Sequence, residues 1–217
     1  MSKRVVVLGK GTLAVRIGRW FKESSGYELA AVVPVVPEPT WTDSLIDWAE
    51  SAGVPYVHSG DYRDLPEAAG EDVVADLGVS VFYDRILPEP FIRSFGRIVN
   101  IHNGPLPRYR GVSPINWALK NGERSHGVTI HEITPGIDDG PVVAQATYST
   151  YPEFDEVEEV YRRALEFGWT LFQQTMPLLD RIEAVPQDEA GATYYSAADN
   201  DALGDRRSFN RAVSRHS

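Results

Sequence analysis

There is no cysteine in this sequence. Disulfides, thiolate catalysis and zinc–thiolate sites are therefore excluded, and a reducing compartment is compatible with the chain. Positive charge is also in short supply: 21 Lys and Arg stand against 31 Asp and Glu, a formal net charge of −10. Nucleic acid draws much of its affinity from cations that neutralise phosphates, so no nucleic-acid partner is expected. Long hydrophobic runs are missing as well. The opening MSKRVVVLGKG leads straight into a strand whose apolar stretch is too short for a signal peptide or a membrane span, so the expectation is a cytoplasmic protein with no membrane partner. Internal repeats and low-complexity tracts are absent too.

What is present is an ordinary soluble composition, 42% hydrophobic, 24% charged and 11% aromatic over 217 residues. That length suits one large α/β domain, or about 180 residues plus a tail. The first half alternates apolar runs with amphipathic ones. RVVVLG (4–9), ELAAVV (28–33), PYVH (55–58), DVVADLG (72–78) and RIVNIH (97–102) read as strands, whereas TLAVRIGRWFKES (12–24), WTDSLIDWAESAG (41–53) and PEPFIRSF (88–95) interrupt them with helical patterning. Continuous Val/Ile/Leu strands separated by helices imply βα units and a parallel sheet covered on both faces. The fold class is thus α/β, a Rossmann-like doubly wound, mostly parallel sheet.

Further on, VSPINWALKNG (112–122) reads as a short helix ended by Gly122, while HGVTIHEI and PVVAQATYS read as two strands joined by the turn TPGIDDG. From 153 to 182 the apolar residues fall at helical spacing, and Pro177 should kink that helix or end it early. A main domain over 1–183 is followed by a polar extension over 184–217, read as a strand and a short helix on the surface.

Ligands of open parallel sheets gather beyond the carboxyl ends of the strands. Asn100 and His102 end the fifth apolar strand at such an edge. Side chains alternate along a strand, so the two project to one face about 7 Å apart, with Ile101 turned into the core. The loop Asn103-Gly104-Pro105-Leu106-Pro107 behind them is stiff enough to act as a wall. An Asn that donates to an oxygen, a His that takes a proton and an Asp from GIDDG that orients the His would meet the needs of acyl transfer to an amine. A pair of this kind serves structure as readily as catalysis, and an Asp between glycines forms turns in any case. His58, His126, His131 and His216 read as structural or surface residues, and Arg108 and Arg110 as phosphate grips or a solvated loop.

The run RIVNIHNGPLPRYRGVSPINWALKNGERSHGVTIHEITPGIDDGPVVAQ resembles the folate-dependent formyltransferase family, which includes glycinamide ribonucleotide, methionyl-tRNA and sugar N-formyltransferases. The NxH, LPxxRG, GVTIH and GxDxG elements occur in order, YDRILPEPFI (83–92) resembles the family's folate-side segment, and the likeness extends over roughly residues 3–183. It implies a formyltransferase fold and a catalytic trio of Asn100, His102 and Asp138. The implied co-substrate is 10-formyltetrahydrofolate, with its pterin against the backbone of Arg85, Ile86 and Leu87 and the turn that includes Thr134, Gly136 and Ile137. No metal is implied. On this analogy Asn100 bonds the formyl oxygen, His102 helps deprotonate the attacking amine, and Asp138 favours the charged imidazole.

The acceptor is less marked. Candidate contacts to it are Gly9, Gly11, Thr12, Asn103, Arg108, Tyr109 and Arg110. Methionyl-tRNA enzymes usually carry a further C-terminal barrel, for which this chain is expected to stop too early. Glycinamide ribonucleotide enzymes typically hold phosphate with a Gly-Ser-Asn turn, whereas Leu13 stands at the third place of Gly11-Thr12-Leu13. The resemblance therefore points first to an amino sugar on a nucleoside diphosphate, whose phosphates an Arg would suit. A hydroxyornithine-type siderophore precursor, glycinamide ribonucleotide and formyl-folate hydrolysis are alternatives, though a hydrolase is expected to carry a regulatory domain in front of the first strand. Short family members often dimerise through the C-terminal segment, which makes a homodimer a further expectation. From a different class, VVVLGKGTLA fits the GxGxxA turn of dinucleotide-dependent oxidoreductases. That reading needs an acidic residue at the end of the second strand, and Glu38 comes too late.

Overall fold

A computed structural model describes residues 2–69 and 75–209. Two compact units divide after Ile101. His216 and the first residues of DVVADLG lie outside the described residues.

The first unit begins with β1 (Lys3–Gly9), α1 (Gly11–Glu23), β2 (Tyr27–Pro34) and α2 (Leu45–Ala52). It continues through α3 (Leu65–Ala69), β3 (Ala75–Val81) and α4 (Glu89–Ile92) to β4 (Phe95–His102). β1 pairs in parallel with β2 on one side and β3 on the other, and β3 pairs in parallel with β4. The chain therefore reverses direction across the sheet between β1 and β3, the switch point of a doubly wound sheet. Gly9 stands there at φ 149°, and a Cβ on it would lie 2.0 Å from the Val81 carbonyl oxygen. Only glycine fits so close an approach. Val5 to Leu8 are fully buried, as the unbroken apolar run requires of a strand covered on both faces.

PYVH is not a strand. Pro55 lacks a donor, and the segment makes one bridge from Tyr56 to Val32 at the edge of β2. The strand that ends in Asn100 and His102 is accordingly the fourth. Glu38 accepts from the Ser44 hydroxyl and, at 2.7 Å, from Leu45 N at the start of α2. Its carboxylate caps a helix, which removes the acid a dinucleotide site would need.

The second unit holds β5 (Arg110–Gly111), α5 (Pro114–Lys120), the hairpin β6 (Ser125–Glu132) and β7 (Val142–Ser149), and α6 (Val157–Thr175). β6 and β7 are antiparallel, with a register shift between Ile130 and His131. Strand order is β2-β1-β3-β4 in the first unit, and β6 and β7 are neighbours in the second. In α6, Val157, Val160, Ala164, Leu165, Gly168, Leu171, Phe172 and Thr175 are buried at helical spacing, and Glu156 and Glu159 form a capping box at its start. Pro177 falls in the 3₁₀ turn Met176–Arg181 that follows, since its ring cannot continue the α-helical ladder. β8 (Tyr194–Tyr195) pairs in parallel with β5, and a 3₁₀ stretch Ala197–Arg207 broken at Gly204 packs Leu203 against Tyr109, Trp117 and Ala118.

Candidate active site

β4 carries Asn100, Ile101 and His102 at its carboxyl end. Ile101 is fully buried, and register sets Asn100 beside Ser80 of β3. The His102 side chain is 7% exposed and places Nδ1 3.4 Å from Oδ2 of Asp138, which is 14% exposed. On the other edge of the ring, Nε2 lies 2.7 Å from the Tyr109 carbonyl oxygen. A carbonyl can only accept, so Nε2 carries a hydrogen, and Nδ1, facing the carboxylate, is where a further proton would go.

Asp138 sits in the turn between β6 and β7 with φ at 52°, in the left-handed region. Its Oδ2 accepts from the backbone N–H of Gly111 at 2.9 Å, and its Oδ1 lies 3.3 Å from Nε2 of His131. Two imidazoles thus flank one carboxylate. Asp139 points elsewhere, accepting from the Thr134 hydroxyl and closing the turn over Gly136.

Burial alone would raise the proton affinity of Asp138, but His102, His131 and the Gly111 N–H outweigh it and hold the carboxyl well below the usual range. For His102 the balance runs the other way. Burial and the neighbouring His131 lower its pKa more than Asp138 and the Tyr109 carbonyl raise it. The arrangement is a neutral imidazole facing a carboxylate, ready to be charged when a proton arrives at Nδ1.

The loop between β4 and α5 is fixed from several sides. The Thr129 hydroxyl donates to Gly104 O at 2.7 Å, and Gln145 Nε2 donates to Leu106 O at 2.8 Å. His126 Nε2 bonds Asn103 O at 2.9 Å, while Asn103 Oδ1 is buried without a hydrogen-bond partner. A Cβ on Gly104 would lie 2.7 Å from Nε2 of His102, so that glycine gives the ring its room.

Several candidate binding residues are used by the fold itself. Tyr109, expected against the acceptor, is buried with its hydroxyl donating to Glu123 at 2.7 Å, because a left-handed backbone at φ 64° turns its ring inward. Arg110, expected to grip phosphate, is buried and gives its donors to Gln187 and Glu189. Arg108 is paired with Glu123 at 3.0 Å but remains half exposed. The Thr12 N–H and hydroxyl both meet Thr42 Oγ1, at 3.1 and 3.2 Å, and a Cβ on Gly11 would crowd the same atom. In the folate-side segment, Arg85 donates to Asp61 at 2.8 Å and Leu87 is buried, while Ile86 is 65% exposed. Ile137, in the other expected segment, is 40% exposed.

Sequence reading missed His131 and Gln187. The signal for His131 is its place in GVTIH, at the end of the strand that feeds the GIDDG turn. Gln187 lies in a polar stretch with no pattern to mark it.

A profile of the formyl transferase family matches residues 3–176. The methionyl-tRNA formyltransferase of Roseobacter denitrificans is 33% identical over 186 residues, covering 81% of this chain and 60% of that protein. A second such enzyme, from a Synechococcus strain, is 36% identical over 166 residues and is covered over 49% of its length. The chain therefore spans about half to three fifths of the length of these curated relatives. Among solved structures, the N-formyltransferase from Helicobacter canadensis, in complex with folinic acid and dTDP-3-aminofucose, shares the fold with a TM-score of 0.74 at 24% identity, covering 92% of this chain and 72% of that one. Glycinamide ribonucleotide transformylase 1 from Symbiobacterium toebii shares it with a TM-score of 0.69 at 24% identity, covering 85% and 94%.

Proposed function

The chain belongs to the formyl transferase family, and from that premise we propose that it transfers the formyl group of 10-formyltetrahydrofolate to the nitrogen of a small-molecule amine. The observation that carries the reading is the approach of His102 Nδ1 to Asp138 Oδ2 at 3.4 Å, two groups that 35 intervening residues separate in the chain. A turn residue holding strained φ to present its carboxylate to a buried imidazole is what a site would need, and a simple turn would not.

The residues present fit a folate. Ile86 and Ile137 are large apolar side chains left exposed in the two segments assigned to it, each within its own unit. Asn103 Oδ1 is a buried acceptor left open beside the His102 loop. The folate supplies the formyl carbon and leaves as tetrahydrofolate. Asn100, two residues before His102 on the same strand, donates its amide to the formyl oxygen as negative charge develops there. His102 accepts the amine proton at Nδ1, directly or through one water, and Asp138 stabilises the imidazolium. Because its carboxyl is held ionised, Asp138 acts through charge rather than as the base.

For the acceptor, the reading favoured is an amino sugar carried on a nucleoside diphosphate. Its support is the shared fold with the Helicobacter canadensis enzyme and the net charge of −10, which disfavours a polyanionic transfer RNA. Arg108 is the remaining candidate for the phosphates. The sequence likeness to methionyl-tRNA formyltransferases favours methionyl-tRNA as the second reading. Purified protein is to be incubated with 10-formyltetrahydrofolate and separate amines: amino-sugar nucleotides, hydroxyornithine, glycinamide ribonucleotide and methionyl-tRNA. Tetrahydrofolate release and a mass gain of one formyl group are expected with an amino-sugar nucleotide. Formylation of methionyl-tRNA alone overturns the acceptor, and no formylation of any amine overturns the reaction.

A further inference from the structure

We propose that Gln187 is a positioning residue for the His102–Asp138 pair, locking the loop that carries the carboxylate to the loop that anchors the imidazole. Its effect on rate rests on the formyl-transfer reading, whereas its effect on geometry does not. Gln187 Nε2 donates to Asp138 O at 2.8 Å and to Gly140 O at 2.7 Å. Its Oε1 accepts from Arg110 Nε at 3.1 Å and Nη2 at 2.8 Å. Both ends of the amide are thus committed, one to each loop.

The two loops need such a tie. Asp138 holds a left-handed backbone at φ 52°, which a residue with a Cβ disfavours, so outside bonds to its carbonyl keep the turn from relaxing. Arg110 stands between the two atoms that anchor the pair, the Tyr109 carbonyl on His102 and the Gly111 N–H on Asp138. The same C-terminal segment holds that loop further along, where Tyr109 N donates to Thr193 Oγ1 at 2.8 Å and Arg110 N to Thr193 O at 2.9 Å. An amide suits the position because it donates to carbonyls at one end and accepts from a guanidinium at the other. Glu189 is a separate tie: it is exposed and reaches only the guanidinium.

The test compares Gln187→Ala and Gln187→Met with Glu189→Gln. Methionine keeps the length and apolar stem of the side chain but makes none of the four hydrogen bonds. His102 is followed by NMR titration of its labelled imidazole in the full chain, alongside kcat and KM for formyl transfer. The titratable and charged groups around the pair are His131, His126, Asp139, and Arg110 with Glu189, and none is altered in the Gln187 variants. Both Gln187 variants are expected to move the His102 titration to lower pH, since a carboxylate aimed less well supports the imidazolium less. They are also expected to lower kcat by about 10- to 100-fold with KM within about 3-fold, the usual effect of a small misplacement. Glu189→Gln, which leaves all four hydrogen bonds of Gln187 in place, is expected to keep wild-type kcat and KM. Wild-type titration and kcat in a folded Gln187→Met protein overturn the proposal by reducing Gln187 to a space-filler. A titration shift in a protein that formylates nothing, wild type included, supports the positioning role and overturns the reaction.

Discussion

Replacing Asp138 by Asn removes one charge and turns the oxygen that faces His131 into an NH2 group. The side-chain oxygen of Asn can still accept the Gly111 N–H now bonded at 2.9 Å, so the turn keeps its internal support. Two unit charges 3.4 Å apart at an effective dielectric of about 20 attract by about 5 kcal/mol, which is the support an imidazolium at His102 would lose. With about half of that charge developed in the transition state, the barrier rises by about 2.5 kcal/mol, or about 70-fold in kcat. The pH dependence has a definite sign. Asp138 raises the proton affinity of His102 against burial and His131, so its loss leaves His102 neutral to lower pH. Activity that needs neutral His102 falls on the acid side in the wild type, and that fall moves to lower pH in Asp138→Asn. The assay is kcat by tetrahydrofolate release from about pH 5 to 9, with circular dichroism to confirm the fold. A folded variant within about 3-fold of wild type, or an acid limb that stays put or moves upward, refutes the reasoning.

Gly104→Ala would bring a Cβ within 2.7 Å of His102 Nε2 and 3.2 Å of Tyr109 O, so kcat should fall by about 10-fold or more through displacement of the ring; a crystal structure with the ring unmoved and full activity would contradict this. His126 is fully buried and its pKa is pushed down to about 4, first by burial, from an ordinary value of 6.5. The unfolded chain binds a proton that the folded one refuses, so stability is complete above about pH 6.5 and declines by about 3 kcal/mol as pH falls to about 4. Urea midpoints measured across that range should show the slope, and His126→Phe should lose its share of it.

Much of this was readable in the chain because local chemistry and tertiary placement agree. An unbroken apolar run requires burial on both faces, and Val5 to Leu8 of β1 have it. Pro177 cannot continue a helix, and α6 gives way to a 3₁₀ turn there. PYVH misled because an apolar run containing Pro55 satisfies the composition of a strand without being able to pair as one. In the site, alternation along β4 is the rule by which Asn100 and His102 are expected on one face. No such rule identifies which histidine meets Asp138 from the hairpin, because the answer depends on how a turn with left-handed φ folds back over β6. Tyr109 and Arg110 looked like ligand contacts from their polar loop. Their partners, Glu123, Gln187 and Glu189, lie in helix-end and C-terminal segments that only the tertiary fold brings to them.

The short ladder between β5 and β8 bears on how the protein is made. Tyr109 and its partner Thr193 stand 84 residues apart, and at about 5 to 20 residues per second a ribosome needs about 4 to 17 s to synthesise that interval. During translation the hairpin and α6 are therefore complete before the segment that secures the Tyr109 carbonyl has emerged. A nascent chain halted short of Thr193 would carry all three proposed chemical groups and still lack their fastening.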